Sequence, residues 1–302
     1  MNLSLQQHQI ALLILLAACL SVEESMASIN SETSGVEIME EVQKRHQQFP
    51  YIYEEQSMVM LDRQGDRDTR KARRFSRVEE DGSVKFLLLF DYPREVKGVA
   101  LLANRDPDGQ TSKYIYLPAL GERLIESAGE GSNDSFLGTD FSVENLTGEM
   151  LSDHYYARRD DRDVDGIKYF VLDVYNEDDE LEQQILRRHF IRQDNLYITL
   201  THHFDKQGRI TRIQSHHDLK AVDGDMWRAN MILMEDKRQE HQSLIKISRR
   251  VFSHDYVPEE VFTAEWLYEN YPYIETLEES DAVINEVESL EEVSDEMIEE
   301  SI

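Results

Sequence analysis

Residues 86–93 read Phe-Leu-Leu-Leu-Phe-Asp-Tyr-Pro, followed by Lys97-Gly-Val-Ala-Leu-Leu102, Tyr114-Ile-Tyr-Leu-Pro118 and Ser135-Phe-Leu-Gly-Thr-Asp-Phe141. Short apolar runs at 84–90, 98–103 and 113–117 are separated by Pro93, by Asn104-Arg-Asp-Pro-Asp-Gly109, and by Pro118 with Gly121. Antiparallel strands joined by turns read this way. Side chains alternate across a strand, so Phe86, Leu88 and Phe90 share one face while Leu87 and Leu89 share the other. Both faces are apolar, which predicts burial on both sides. Tyr114 and Tyr116 alternate with Ile115 and Leu117 in the same manner. A sheet with this much apolar surface requires a cover or a ligand.

On the N-terminal side, Val36, Ile38, Met39 and Val42 fall at helical spacing, and Lys44, Arg45 and His46 precede Phe49-Pro50. A helix over 35–48 is predicted, with an apolar face able to lie on a sheet. Period-two patterning begins at Tyr51. The basic run of Arg67, Arg70, Lys71, Arg73, Arg74 and Arg77 reads as the solvated face of an edge strand, or as a surface for anionic lipid or an acidic partner. Residues 121–134 are loop-like, and 141–156 is expected to hold a short helix starting near Ser142. Strand patterning resumes at Ile167 and recurs at 185–192, 196–215, 229–234 and 243–251, and Pro258 opens a last short helix reaching Tyr268. The expected total is about nine to eleven strands with two or three short helices.

The 302 residues carry a formal charge of −29, which argues against a nucleic-acid partner, since a phosphate backbone needs a basic footprint. Twelve carboxylates and no Lys or Arg lie in 274–302, leaving −17 on residues 1–273. Like charges repel, so this tail is expected to be disordered, although Val287, Leu290, Val293 and Met297 would form one stripe in a helix. Ile10–Leu20 is an eleven-residue apolar run, too short to span a bilayer and the right size for the core of an export signal. Cleavage after Ala27 would release a soluble chain, whereas Leu16-Ala-Ala-Cys19 resembles a lipobox that would make Cys19 a lipid anchor. Cys19 is the only cysteine, so no internal disulfide forms. The chain thus divides into a signal at 1–27, a linker at 28–34, a body at 35–273 and a tail at 274–302.

Asp161-Arg-Asp-Val-Asp-Gly166 opens like a calcium loop, but its twelfth position is Leu172 and 167–172 alternates as a strand. A turn is expected there. If the hairpin at 205–208 pairs Phe204 with Arg209, His202-His203 and His216-His217 lie roughly 16 Å apart, too far to share a metal. There is no Gly-x-Ser-x-Gly elbow, no phosphate loop and no nucleophile–base spacing, so no catalytic residue, metal or cofactor is expected.

Phe90-Asp-Tyr-Pro93, Val96-Lys-Gly98, Tyr116-Leu-Pro118 and Ser135–Phe141 occur in this order. Asp165-Gly166, Phe204-Asp-Lys-Gln-Gly208, Val222-Asp-Gly224, Met231–Met234 and Val261-Phe262 come after them. The set resembles the outer-membrane lipoprotein-sorting protein family, the LolA-like periplasmic carriers, in the branch associated with RND or MMPL-type exporters. The resemblance implies a mainly β, α+β fold: a half-open antiparallel β-barrel whose short helices cover an apolar concave face that holds acyl chains. Val36–Gln48 and the segment near Phe141–Leu151 are the expected covers. The family's carriers use a cavity arginine to toggle between closed and open states, and no position here is matched to it. Phe86, Leu88, Phe90, Leu101, Tyr114, Tyr116 and Phe136 are the expected cavity wall. Pro93, Gly98, Pro118, Gly138 and Asp140 are the expected turn-shaping residues. The implied function is that of a monomeric, non-enzymatic periplasmic carrier of lipids or lipoproteins, without a cofactor, serving outer-membrane sorting beside an inner-membrane exporter. The alternative is a membrane-anchored accessory protein that docks a transporter and carries no cargo.

Overall fold

The computed structural model describes residues 29–118, 124–126, 136–142, 145–146, 151–176 and 184–272. The expected export signal, Cys19 and the acidic tail lie outside them. Residues 29–33 belong to a separate unit, and the described helices and strands belong to the unit that begins at Ser34.

Helix α1 (Gly35–His46) starts at a reciprocal cap: the Ser34 hydroxyl accepts from the Glu37 N–H, and the Glu37 carboxylate accepts from the Ser34 N–H at 2.7 Å. Ile38, Met39, Val42 and His46 form its buried stripe. Val36, expected on that stripe, points to solvent at 44% exposure. The helix phase places His46 inside instead.

Thirteen strands come next: β1 (Tyr51–Leu61), β2 (Arg67–Val78), β3 (Val84–Tyr92), β4 (Ala100–Arg105), β5 (Thr111–Tyr116), β6 (Leu124–Glu126), β7 (His154–Val164), β8 (Ile167–Asn176), β9 (Arg187–Arg192), β10 (Ile198–Phe204), β11 (Ile210–Asp223), β12 (Met226–Asp236) and β13 (His241–Val251). A short helix, α2 (Ala264–Asn270), ends the described chain. All strands join one antiparallel sheet in the order β6-β5-β4-β3-β2-β1-β13-β12-β11-β10-β9-β8-β7. Two meanders, β1 to β6 and β7 to β13, meet where β1 pairs with β13. The ends of the sheet, β6 and β7, do not pair with each other, so the sheet stays open.

Two strands exceed the expected number. β6 has only three residues, and β7 begins at His154, at the end of the stretch 141–156 expected to hold a short helix starting near Ser142. As an edge strand, β7 buries only Tyr156, so His-Tyr-Tyr-Ala-Arg-Arg-Asp-Asp-Arg-Asp-Val carries no alternation to read. The basic run is also corrected: β2 lies between β1 and β3 and is not an edge. Its arginines alternate between two covered faces.

The turns obey local chemistry. Asp165 (φ 53°) and Gly166 (φ 81°) form a two-residue hairpin turn, with Val164 paired to Ile167. In the β10–β11 loop the Asp205 carboxylate accepts from the N–H groups of Gln207 and Arg209, and Gly208 takes a left-handed φ of 73°. This widens the loop and adds a bulge after His203, so Phe204 faces Ile210 rather than Arg209, and His202 faces Ile213.

Both faces of β1–β5 are covered, as the alternation in β3 predicts. On the outer face, Tyr53, Phe75, Leu87, Leu89, Ala100, Leu102 and Tyr116 pack under Val257, Val261, Phe262 and Leu267. On the other face, Met58, Ala72, Phe86, Leu88, Phe90, Leu101 and Ala103 pack with Phe136, Phe141, Met234, Ile245 and Ile247. Helix α1 touches both β7 and β12, between which four strands intervene, so the sheet curls around it. Its His46 Nδ1 accepts from the Trp227 N–H at 3.1 Å. The face carrying Phe86 and Met234 is therefore the inner, concave one.

Candidate functional site

The inner face has an apolar part and a charged part. Register builds the apolar wall: Phe86, Leu88 and Phe90 of β3 lie across from Ser76, Arg74 and Ala72 of β2, and Leu88 faces Leu101 of β4. Five of the expected wall residues, Phe86, Leu88, Phe90, Leu101 and Phe136, meet here and are all buried. The two tyrosines do not join them. Leu101 pairs with Ile115, which puts Tyr114 and Tyr116 on the outer face. Tyr116 instead donates to the Tyr271 carbonyl at 2.8 Å and packs on Tyr268, holding the C-terminal segment. The phase of β5 is fixed by pairing, which the alternation of Tyr-Ile-Tyr-Leu leaves open.

Residues 136–142 and 145–146 cover this wall through Phe136, Phe141, Leu137 and Leu146. Two polar contacts fasten it. Arg70 Nη1 donates to the Leu137 carbonyl at 2.6 Å while its guanidinium lies over Phe90. Asp140 accepts from the Ser243 hydroxyl at 2.7 Å and faces His241 Nδ1 at 2.7 Å, and its own N–H donates to Ser243. Burial pushes the Asp140 carboxyl up, against the pull of His241 and Ser243. Serine and histidine meet the same carboxylate oxygen, an arrangement that differs from a hydroxyl handing its proton to an imidazole. It is a latch. Gly138 supplies a left-handed φ of 82° beside Arg70. Gly98 (φ 83°) brings the β3–β4 turn against Pro118 and Tyr271, where a Cβ would sit 3.2 Å from each. Pro93 comes directly after the last residue of β3.

The charged part begins one turn of the pleat away on β1. Glu54 is buried, and its oxygens accept from Arg250 Nε at 2.6 Å, Arg74 Nη1 at 3.1 Å and Gln56 Nε2 at 2.8 Å. Burial alone would raise its carboxyl, but Arg74 and Arg250 overcome this and hold it at about 2. Arg250 also donates to Asn230 and to the Ala229 carbonyl. Arg74 stacks over Phe86 at 5.4 Å, joining the charged and apolar parts. Arg228 lies within electrostatic reach of this group and of Tyr197, and burial lowers its guanidinium to about 10, still charged at neutral pH. His46 packs edge-on against Tyr197 at 5.1 Å, and burial, with Arg228 nearby, lowers it to about 4. Among the described residues no group of three His, Cys, Asp or Glu side chains could hold a metal, and no helix is long and apolar enough to cross a membrane.

A family model described only as an uncharacterized protein matches residues 82–269. The chain belongs to that family. No curated protein matches the chain. Among solved structures, it is similar to a domain from Vibrio parahaemolyticus described as an outer membrane lipoprotein-sorting protein, at 22% identity and TM-score 0.70, over 77% of this chain and 97% of that one. A DUF1329 family protein from Desulfovibrio piger matches at 20% identity and TM-score 0.67, over 76% and 98%. A LolA superfamily protein from Nitrosomonas europaea matches at 15% and 0.62, over 78% and 99%. These likenesses show a LolA-like, open-barrel fold, as the motif order predicted.

The charged cluster was not found from the sequence. Arg70 and Arg74 sit in a run that reads as solvated, and Glu54, Arg228 and Arg250 come from distant strands. The period-two phase of β1, in which Glu54 and Gln56 share a face with Met58 and Met60, was the one available signal.

Proposed function

We propose that the chain is a periplasmic, non-enzymatic carrier whose body, residues 35–273, holds the acyl chains of lipids or lipoproteins against its inner face. One observation carries this reading. A continuous apolar wall on the concave side is closed by residues 136–142 and 145–146, whose polar fastening in the described residues is the Arg70–Leu137 contact and the Asp140 latch. Each hydrocarbon CH₂ taken from water onto such a wall contributes about 0.8 kcal/mol. A chain of about twelve methylenes would therefore gain on the order of 10 kcal/mol, enough to compete with a cover held by the burial of Phe136, Leu137, Phe141 and Leu146, at about 1.5–3 kcal/mol each, and by a few hydrogen bonds of about 1 kcal/mol each. Closing the cover keeps water off the empty wall, and lifting it exposes the wall to cargo. Arg70 is the residue that ties the cover to the sheet. Binding by burial requires no covalent step. Delivery would involve an inner-membrane exporter of the RND or MMPL type and an outer-membrane destination, as the family resemblance suggests.

The test is native mass spectrometry with lipid extraction on the exported protein, purified without detergent. A co-purifying phospholipid, fatty acid or acylated peptide is the expected result. A ligand-free body that also fails to take up fluorescent fatty acid overturns the reading in favour of transporter docking. The mass of the N-terminal residue decides between a diacylated Cys19 and release after Ala27.

A further inference from the structure

Three guanidinium groups, Arg74, Arg228 and Arg250, share the charged part of the inner face with a single carboxylate, Glu54. Both oxygens of Glu54 are already taken by Arg74, Arg250 and Gln56. Arg228 has no anionic partner among the described residues; its one hydrogen bond, 3.3 Å long, runs to the carbonyl of the preceding Trp227. Next to it, the Tyr197 hydroxyl accepts from the Ala229 N–H, and no described group accepts its own proton. In a chain of net charge −29, an interior with surplus positive charge is unexpected. A partly buried cation without a counter-ion costs stability unless a bound anion completes the site.

The charged group also borders the apolar wall, since Arg74 stacks on Phe86 and Gln56 stands beside Met58 on β1. We propose that Arg228, backed by Arg250 and Arg74 and helped by the Tyr197 hydroxyl, is the head-group site for an amphiphile. Its anionic end, a carboxylate or phosphate, meets the guanidinium fork, and its hydrocarbon lies on the wall of Phe86, Leu88 and Phe90. The fork geometry suits two oxygens of one oxyanion. The assignment rests on the carrier reading and adds the ligand's charge to it.

The full exported chain, delipidated, would be titrated with a dansyl-labelled long-chain fatty acid, with its methyl ester, and with inorganic phosphate. The acid is expected to bind at least about tenfold tighter than the ester, about 1.4 kcal/mol. Arg228→Gln should bring the acid down to the ester's affinity and leave the ester unchanged, and Arg228→Lys, which keeps the charge without the fork, should keep only part of the preference. The ligand-free Arg228→Gln protein should melt higher than wild type, because an uncompensated charge is gone; a merely structural arginine would melt lower when removed. Equal binding of acid and ester by the wild-type protein, a comparison that needs no variant, overturns the head-group site and leaves the carrier standing. Arg228-dependent binding of phosphate without any preference for the acid overturns the amphiphile and assigns a free-anion site. Failure of both acyl probes overturns the carrier itself.

Discussion

Glu54 is the residue on which the interior charge balance turns. Its three donors come from β1, β2 and β13, so it joins the two meanders at their seam. Removing one member of a buried ion pair leaves the other charges uncompensated, which costs about 3–5 kcal/mol. Glu54→Gln is therefore expected to lower the unfolding free energy by that amount, read as a lower urea midpoint at unchanged m-value; a loss below about 1 kcal/mol would mean that solvent reaches the cluster. Gly35 is a second such position. A Cβ there would lie 2.3 Å from the Tyr156 carbonyl oxygen, so α1 touches the sheet backbone to backbone. Gly35→Ala should force α1 off β7 and cost about 1–3 kcal/mol, visible as faster hydrogen exchange in residues 35–46.

Among the elements, the cover and α1 respond to different variables. Arg70→Ala removes the charge-assisted bond to Leu137 and should lower stability by about 1–3 kcal/mol while speeding uptake of a fluorescent acyl probe. Slower uptake in that variant would show that Arg70 does not restrain the cover. Helix α1 is sensitive to acid. His46 is held at about 4 chiefly by burial, and the half-buried His216, beside His217 and His189, is also held at about 4 by desolvation of its ring. Their unfolded values are near ~6.5, so between those limits the unfolded chain binds the extra protons and stability falls as pH drops. The loss approaches something on the order of 3 kcal/mol per histidine. Glu54 has the same sign further down: its stabilisation is complete above its unfolded value near ~4.3 and is lost as pH falls towards about 2. Urea melts from pH 7.5 to 4.5 should show a steady decline that His46→Gln makes shallower; a flat profile contradicts the buried, neutral His46.

At the scale of the molecule, the two meanders share one sheet through the β1–β13 ladder, which pairs the first strand with the last. Covering elements sit on both faces: residues 136–142 and 145–146 inside and 254–271 outside, the latter tied by Arg73, which donates to both Asp91 oxygens at 2.8 Å and to the Tyr271 hydroxyl. Binding and closing thus belong to the body. A chain ending at Pro272 is expected to retain acyl binding at wild-type affinity in a fluorescence titration. Loss of binding on that truncation would move the function towards the acidic tail and the docking alternative.

The antiparallel strands were legible because turn chemistry and period-two runs are local properties, whereas the open barrel was what the family resemblance implied. Asp165-Gly166, Gly208, Gly98 and the double-faced Phe86–Phe90 strand each act within a few residues of themselves. The helical phase of α1 was legible as well, apart from the exchange of Val36 for His46. Position in the sheet was not. Whether Arg67–Val78 is an edge or a central strand, and whether Tyr116 or Ile115 faces inward, depends on which strands lie alongside, and one residue of register reverses every side chain. The charged cluster needed more still, since Glu54, Arg74, Arg228 and Arg250 approach one another only when β1, β2, β12 and β13 are laid side by side. Sequence determined most of the strands and their turns, short β6 and the edge strand β7 excepted; tertiary pairing decided which face is inner, and so where a ligand's tail and charge would lie.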